Sequence, residues 1–403
     1  MSTYYVFDGR LGYNKKFIER IIMASKVYFT DFTCKITDTM PKKLRRLVNK
    51  AGLGDIDFKN KYVAIKIHFG EYGNVGFVRH QYAKEICDYV KERGGIPFLT
   101  DANTLYPGFR NNAVKHLECA FLNGFNPLGT GVPTIIADGL RGTDERLIEP
   151  KGGHYVKEAK IASAIAEADI VIVITHCKGH VNAGFGGTLK NVGMGCGSKA
   201  GKKEMHSEGV PIVDKKCIGC GLCVQHCNND GVHVIDGKAV VDEKKCTGCG
   251  YCIGYCPKEA INSDFEISKP LMNKKIAEYT KAVVQDKPAF YINFARDVSP
   301  FCDCTSSTDT QLVPNVGIYA SYDPIAIDQA SADGINKQPV FANGMAGKAA
   351  VENGCCEKDG FVDVEEQHDV FTMTHPDSDW EAGLEHGEKI GLGTREYELV
   401  KVK

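Results

Sequence analysis

The sequence has no long hydrophobic run among its 403 residues. A helix that spans a bilayer requires about eighteen apolar residues in succession, and no apolar stretch of the sequence approaches that length. The N-terminus, MSTYYVFDGR, becomes polar within ten residues, which is not typical of a secretory signal peptide. We therefore expect a cytoplasmic protein with no membrane partner.

The sequence also lacks an excess of positive charge. Lysine and arginine number 49 against 51 acidic residues, and the formal net charge is -2. Proteins that bind nucleic acid generally present a strongly basic face to the phosphates, and this balance does not provide one. We therefore expect no nucleic-acid partner.

Cysteine, in contrast, is abundant, with 17 residues in the chain. In a short secreted chain this number would indicate disulfide bonds. Here eight of the cysteines fall into two matching groups of four. The pattern favours metal ligation in a reducing compartment.

The two groups share the spacing Cys-x2-Cys-x2-Cys-x3-Cys, and the second begins 29 residues after the first, at Cys246 against Cys217. In bacterial two-cluster ferredoxins, three cysteines of one run and the fourth cysteine of the other run hold each cluster. We therefore predict two 4Fe-4S clusters. The first is predicted at Cys217, Cys220, Cys223 and Cys256, and the second at Cys246, Cys249, Cys252 and Cys227.

A pair of zinc sites is the alternative, because Cys-x2-Cys pairs also suit tetrahedral zinc. The doubled four-cysteine run favours the clusters. Asn228 stands where the ferredoxin pattern usually has proline, whereas Pro257 follows the second run as that pattern requires. We expect the first loop to turn differently without losing its cluster.

Outside the cysteine-rich segment, the chain alternates between strand-like and helix-like stretches. The stretches KYVAIKIHF (61–69) and ADIVIVITH (168–176) are apolar and β-branched, as in parallel strands that are buried on both faces. This alternation predicts an α/β fold with a mostly parallel sheet. Helices are predicted at 79–95, 110–124 and 156–169, a short strand at 96–101, and a return of the same pattern at 289–297 and 323–335.

The composition changes abruptly after Pro211, where large aliphatic residues thin out and cysteines recur until about Ser263. We interpret residues 211–264 as a 2[4Fe-4S] ferredoxin-like domain inserted into a discontinuous α/β domain, residues 1–210 and 265–403. Such insertions are tolerated where the chain leaves and rejoins the host domain at neighbouring surface points.

The predicted strand at 168–176 continues into a polar, glycine-rich segment that ends at residue 206, THCKGHVNAGFGGTLKNVGMGCGSKAGKKEMH. Ligands of α/β folds bind beyond the carboxyl ends of the strands, and glycine N–H groups beside a lysine can hold an anion. A structural glycine loop is the alternative. We predict a site for a small anionic substrate or cofactor at Lys178, Gly186, Gly187 and Asn191.

Three residues of the same segment are candidate catalytic groups. His180 and His206 are suited to proton transfer or to metal ligation, because imidazole titrates near neutrality. Lys190 is suited to holding an anion or, if desolvated, to acting as a nucleophile.

A further pair of thiols occurs downstream, at Cys302 and Cys304. In an extended segment, residues two apart project to the same side. The pair is therefore a candidate for an additional metal or cluster. Two unligated thiols in a loop are the alternative.

With these motifs assembled, the chain resembles a family of uncharacterised iron-sulfur centre proteins, in which an α/β domain of unknown function carries an inserted ferredoxin module. The resemblance covers most of residues 61–334. Its marks include IKIHFGEYGN, LTDANTLYPGFRNNA, IADGLRG, CDC and DPIAIDQA, together with the glycine-rich segment. This resemblance implies the fold and the clusters but no particular reaction.

The chain is more distantly similar to the nickel-pincer lactate racemase superfamily, whose glycine-rich segment, a histidine followed by GGxK, also has a later histidine. That similarity implies an acid/base role for His180, a cofactor-tethering role for Lys190 and nickel ligation by His206. The second catalytic histidine loop of that superfamily has no clear match, and Asp101 and Asn103 occupy its place.

The combined pattern predicts an anaerobic oxidoreductase in which two clusters relay electrons to a substrate or metal pocket in the α/β domain. A separate electron donor or acceptor protein is the expected partner. Two alternatives remain open at this point, a non-redox isomerase or racemase with a nickel-pincer-like site and a plain ferredoxin-type electron carrier.

Overall fold

The computed structural model describes residues 24–106, 108–206, 210–227, 229–246, 251–262, 268–364 and 368–403. The strands are β1 Ser25–Thr30, β2 Tyr62–Ile67, β3 Ile96–Asp101, β4 Thr134–Ile136, β5 Glu145–Ile148, β6 Ala159–Ala162, β7 Ile170–His176, β8 Lys178–His180, β9 Gly184–Gly186, β10 Ile212–Val213, β11 Val232–Ile235, β12 Lys238–Val241, β13 Ile261–Asn262, β14 Ala289–Ala295, β15 Gly317–Ser321, β16 Val340–Phe341, β17 Glu357–Lys358, β18 Phe361–Val362 and β19 Tyr397–Lys401.

The helices are α1 Met40–Lys50, α2 His80–Lys91, α3 Ala113–Leu122, α4 Pro127–Thr130, α5 Ser163–Glu167, α6 Thr188–Cys196, α7 Lys199–His206, α8 Leu222–Gln225, α9 Tyr251–Tyr255, α10 Lys269–Val284, α11 Pro324–Asn336, α12 Met345–Glu352, α13 Val370–Thr374 and α14 Glu381–Lys389. A short 3₁₀ turn covers Leu53–Asp55. Among the described residues, no helix is both long and apolar enough to cross a membrane.

An eight-stranded sheet organises the chain, in the order β19-β1-β15-β14-β7-β2-β3-β4. The central strands β14, β7, β2 and β3 run parallel to one another, and β15 is antiparallel to both of its neighbours. This mixed α/β architecture with a large, mostly parallel sheet confirms the predicted fold class. The carboxyl ends of the parallel strands therefore meet along one edge, as ligand sites of such folds require.

The central strand β7 shows why the apolar runs predicted buried strands. Its side chains alternate between two hydrophobic cores, with Ile170, Ile172 and Ile174 in one core and Val171 and Val173 in the other. Both faces of the sheet are covered, so every position along the strand excludes water. Because neither face of such a strand is polar, its sequence does not alternate between apolar and polar residues.

The helix predicted at 156–169 is wrong over its first half. Residues Ala159–Ala162 form β6, which pairs with β5, and only Ser163–Glu167 are helical. Ala159 and Ile161 enter the main core from this strand. Pairing with a neighbouring strand outweighed the local helix preference of the alanines.

The cysteine-rich segment has a compact structure in which its two halves repeat. Helices α8 and α9 occupy equivalent places in the two cysteine runs, and β10 pairs antiparallel with β13 near the two ends of the segment. Its small core contains Cys223, Cys252 and Ile253, and Leu105 of the α/β part belongs to the same core. The two parts of the chain are therefore packed together at Leu105.

The contact between α6 and α10 provides a test of the packing. A methyl group on Gly193 would collide with the backbone carbonyl of Ile276, which cannot move aside. Gly193→Ala should lower the free energy of unfolding by about 1–3 kcal/mol, because overpacking shifts the backbone. Thermal unfolding followed by circular dichroism measures the loss.

Gly383→Ala is the matched control, since Gly383 of α14 also faces α10. There the added methyl group would lie 3.2 Å from the carbonyl oxygen of Asn273, a distance that small shifts can relieve. Equal melting temperatures for the two variants would contradict the tight α6–α10 contact.

Candidate functional site

A cavity of about 750 Å³ lies at the carboxyl ends of the parallel strands. Asp101 ends β3 and His180 ends the short strand that follows β7, while Cys302 and Cys304 follow β14. The sheet thus brings distant parts of the chain to one place. The predicted residues that line the cavity are Lys178, His180, Gly186, Lys190, Asn191, His206, Cys302 and Cys304.

Gly187 has a different place from the one expected. It is not among the described residues that line the cavity, and a side chain there would collide with the carboxylate of Asp328. That carboxylate accepts hydrogen bonds from the N–H groups of Thr188 at 2.6 Å and Leu189 at 2.8 Å. Gly187 therefore admits the group that caps helix α6.

Helix α6 places Lys190 and Asn191 at the cavity. The amide nitrogen of Asn191 donates to Ile174 and Thr175 at 3.0 Å, and its oxygen accepts from the amino group of Lys66 at 2.7 Å. Asn191 is therefore engaged by the protein itself. Lys190 makes no hydrogen bond or ion pair with the residues that the structure describes, which leaves its charge available to a ligand.

A buried network of ion pairs forms one wall of the cavity. Asp101 pairs with Lys66 at 3.0 Å and with Arg110 at 3.5 Å, and Arg110 also pairs with Glu71 at 3.1 Å. Burial raises the pKa of Asp101, but Lys66, His116 and Arg110 outweigh it and hold that pKa below its usual value. Two cations and two carboxylates balance here, so the wall carries no net charge.

The site residues predicted from the sequence did not include Lys66, Glu71 and Arg110. The sequence did indicate a buried ion pair at Lys66, because a lysine inside an apolar strand needs a buried partner. Lys66 and Glu71 lie in the IKIHFGEYGN motif, and Arg110 lies in LTDANTLYPGFRNNA.

His180, Cys302 and Cys304 form a group that could hold a metal ion. One ligand atom from each residue lies within 4.8 Å of the others. His206 lines the same cavity without belonging to this group. Two thiols and an imidazole suit a soft or borderline ion such as zinc, nickel or iron.

The ring of His180 has a defined bonding pattern. Its Nδ1 accepts hydrogen bonds from the N–H groups of Asn182 at 3.1 Å and Ala183 at 3.0 Å. Burial and the charge of Lys190 lower its pKa well below the usual value, so the ring is neutral. The single ring proton then belongs on Nε2, and ligation of a metal through Nε2 requires the loss of that proton.

The two thiols shift each other's pKa in opposite directions. Their mutual hydrogen bond lowers the pKa of Cys302 well below its usual value and raises the pKa of Cys304 well above it. Lys190 lowers the pKa of both thiols. These opposite shifts favour a thiolate at Cys302, and the thiolate is the form that binds a metal or reacts with an electrophile.

Asp303 fixes the loop between the thiols. Its carboxylate is hydrogen-bonded to Nδ1 of His176 at 2.8 Å and pairs with Lys178 at 3.3 Å. Burial raises the pKa of Asp303, but His176 and Lys178 outweigh it and hold that pKa far below the usual value. Lys178 was predicted to bind an anion, and the structure shows it paired with this carboxylate.

The first predicted cluster has its cysteines around a smaller cavity of about 20 Å³, which is lined by Cys217, Cys220, Cys223 and Cys256. Backbone N–H groups point at two of these sulfurs, from Ala239 to Cys217 at 3.2 Å and from Ala260 to Cys256 at 3.3 Å. Such bonds stabilise sulfur that carries negative charge. Cys249 of the second set lies outside the described residues.

Comparison with protein families matches residues 63–333 to a domain of unknown function, DUF362. The match covers more than half of the chain. The protein belongs to the DUF362 family. No curated protein matches the sequence.

Two solved structures are similar to this DUF362 protein. The lactate racemase apoprotein from Thermoanaerobacterium thermosaccharolyticum is 13% identical with a TM-score of 0.36, and the match covers 68% of this chain and 51% of that one. A protein from Thermotoga maritima is 15% identical with a TM-score of 0.36, over 65% of this chain and 52% of that one. The chain thus spans about half of each of these proteins, and the similarity has no bearing on the chemistry of the site.

The thiol pair can be tested by metal analysis. Cys302→Ser should remove about one bound metal ion per chain, because a serine hydroxyl is a poor ligand for soft metals. Mass spectrometry of metals in anaerobically purified protein measures the change. Cys355→Ser is the matched control, since Cys355 is partly buried outside the cavity. Equal metal content in all three proteins would show that Cys302 holds no ion.

Proposed function

We propose that this DUF362 protein is an iron-sulfur oxidoreductase. Two 4Fe-4S clusters in residues 211–264 would pass single electrons to a small anionic substrate in the large cavity. In this proposal the cysteine segment is an inserted ferredoxin-like domain, and residues 1–210 and 265–403 form the domain that holds the substrate.

The shared position of Leu105 carries the proposal. This side chain packs in the same core as Cys223 and Cys252, and it also lines the large cavity. The next residue, Tyr106, donates a hydrogen bond from its hydroxyl to the carbonyl of Cys304 at 3.3 Å. A predicted cluster ligand and the thiol pair are thus separated by two adjacent residues, which favours electron passage between them.

The repeated cysteine runs support the clusters over zinc. Four cysteines from both runs surround one small cavity, as the exchange of the fourth ligand in two-cluster ferredoxins requires. Gly231 donates its N–H to Cys227 at 3.1 Å, and Ala260 has the same relation to Cys256. Two separate zinc sites would not need ligands exchanged between the runs.

The charges of the cavity support an anionic substrate. The carboxylates of Glu71, Asp101 and Asp303 are already paired with Arg110, Lys66 and Lys178. Lys190 and Lys202 have no carboxylate partner among the described residues, although Lys202 donates to the carbonyl of Gly197 at 2.5 Å. The cavity therefore contains more lysine and arginine charges than its carboxylates neutralise.

A metal at Cys302 and Cys304 would supply a point where an electron or an electron pair reaches the substrate. The residues of this chain position it, since Asp303 holds the loop and Lys190 holds the thiolate form of Cys302. Cys220 is exposed at the first predicted cluster, which offers an outside electron donor or acceptor protein a place to dock.

An isomerase or racemase with a nickel-pincer-like site is the second candidate. The observation in its favour is that Lys190, which has no ion pair among the described residues, shares the cavity with His180 and the two thiols. In this case the clusters would serve structure or regulation. Stoichiometric nickel in the purified protein would favour this candidate.

Iron analysis tests the clusters directly. Anaerobically purified protein should contain about eight irons per chain for two cubes, with a broad visible absorption. Cys223→Ser should lower the iron content by up to about four irons, whereas Cys355→Ser should leave it unchanged. Fewer than about six irons in the parent protein, or about two zinc ions per chain in their place, would contradict the proposal.

Lys190 tests the substrate pocket. Lys190→Ala should weaken the binding of short carboxylates such as propionate and benzoate at least tenfold, because a charge-assisted bond is lost. The visible spectrum should stay the same. Lys190→Arg should retain part of the affinity, and Lys348→Ala, at an exposed position of α12, should retain all of it. Unchanged binding in Lys190→Ala would show that the pocket is wrongly assigned.

A further inference from the structure

A second cavity, of about 370 Å³, lies between the α/β part and the cysteine-rich segment. We call it the junction cleft. Lys115, Arg141 and Lys199 line it from the α/β part, and the stretch from Cys256 to Asn262 contributes to the opposite wall. Leu105 and Tyr106 line both this cleft and the large cavity. The two spaces are thus neighbours with a common wall.

The side chain of Lys199 reaches the junction cleft by passing Gly142 and Gly254. Its stem lies over Gly142, where a methyl group would come within 2.6 Å of Lys199 Cγ, and it passes Gly254, where a methyl group would lie 3.7 Å from Lys199 Cδ. Gly142 has φ +81°, a conformation that other residues rarely adopt. The backbone on both sides thus makes room for this one side chain.

The charge of Lys199 has no partner in the described part of the chain. The residue is 5% exposed, and its amino group makes no hydrogen bond or ion pair there. Burial lowers the pKa of Lys199 to about 8, although Asp138 and Glu259 act against that shift. A buried cation without a partner costs free energy, so an anion in the cleft would be bound favourably.

The other charged groups of the cleft add to this preference. Lys115 and Arg141 form no ion pair among the described residues, and Arg141 lies over the ring of Tyr255 at 5.2 Å. The carboxylate Glu259 accepts a hydrogen bond from Asn111. Three cations therefore face one carboxylate that is already engaged, and the cleft has an excess of about two positive charges.

We propose that the junction cleft is a second ligand site that binds a phosphate group, through Lys199 at its base and through Arg141 and Lys115 at its rim. The excess of positive charge matches the charge of phosphate near neutral pH, and guanidinium and ammonium groups are the usual phosphate ligands. The volume is within the range of about 300–1,000 Å³ for small-molecule sites, so a phosphorylated small molecule fits as well as the free ion.

A phosphate in this cleft would contact both parts of the chain. Lys199 and Arg141 belong to the α/β part, and Pro257 and Glu259 belong to the cysteine-rich segment. The phosphate would therefore lie near Cys256, a predicted cluster ligand, with all of its cationic ligands on the α/β part. This site is separate from the large cavity, and among the described residues the two share only the wall formed by Leu105 and Tyr106.

Calorimetric titration of the full, anaerobically purified chain with inorganic phosphate tests the site. Lys199→Met keeps the stem between the two glycines and removes the charge, and it should weaken phosphate binding at least tenfold. Lys202→Met is the matched control, since Lys202 lies one turn further along α7 and lines the large cavity instead. Lys202→Met should weaken phosphate binding less than Lys199→Met does. Lys348→Met, at an exposed position that lines neither cavity, should bind phosphate within twofold of the parent chain.

A second measurement locates the anion. Crystals soaked in selenate should show anomalous scattering beside Lys199, and glycerol 3-phosphate should bind more tightly than phosphate if the natural ligand is an ester. Three results would overturn the proposal: no phosphate binding in the millimolar range, binding that Lys199→Met leaves within twofold, or binding that only Lys202→Met weakens. The carboxylate test of Lys190 is unaffected by any of them.

Discussion

The buried carboxylate of Asp303 is the contact on which the arrangement of the site depends. It links the loop after β14 to the end of β7, through His176 and Lys178. The backbone carbonyl of the same residue accepts a hydrogen bond from Glu71, which follows β2, at 2.8 Å. Three strand ends are thus tied to one residue. Because these contacts fix Asp303 on the side away from the cavity, the neighbouring Cys302 and Cys304 line the cavity.

The electrostatics of the cavity follow from the cost of burying charge. The buried carboxylates of Glu71, Asp101 and Asp303 are each matched by a cation. Breaking one such pair would leave an uncompensated charge. This requirement accounts for Lys66 and Arg110 in otherwise apolar surroundings. What the pairs do not account for is Lys190, whose charge is available to a ligand. The balanced wall holds the cavity in shape, and the unbalanced lysine gives it a preference for anions.

Much of the fold could be predicted because the central strands are buried on both faces, which makes their sequences nearly continuous apolar runs. Strands β1, β15 and β19 went unrecognised, since their sequences lack such runs. The helix predicted at 156–169 failed because strand pairing decided the state of Ala159–Ala162. The local sequence of a segment does not show whether a distant strand will pair with that segment.

The site could be predicted only as far as strand ends and ligand types allow. Cys302 and Cys304 were paired on the geometry of an extended segment, but the structure has a turn there, with the N–H of Thr305 donating to the carbonyl of Cys302 at 3.0 Å. Both thiols nevertheless line the cavity, and the glycine-rich segment does contribute Lys190 to it. The role of Gly187 was missed because Asp328, whose carboxylate Gly187 admits, is 140 residues beyond Thr188 in the sequence. The ion pairs of the cavity wall were missed for the same reason, since they join two separate motifs.

Helix α7 connects these features. Lys199 and Lys202 are one turn apart, yet the first lines the junction cleft and the second lines the large cavity. Burial lowers the pKa of both lysines to about 8, and both interact with the buried carboxylate of Asp138. A negative charge placed beside either lysine acts on the other through this shared carboxylate and through a distance of one helical turn. An anion bound in one cavity would therefore change the electrostatic potential in the other without any movement of the helix.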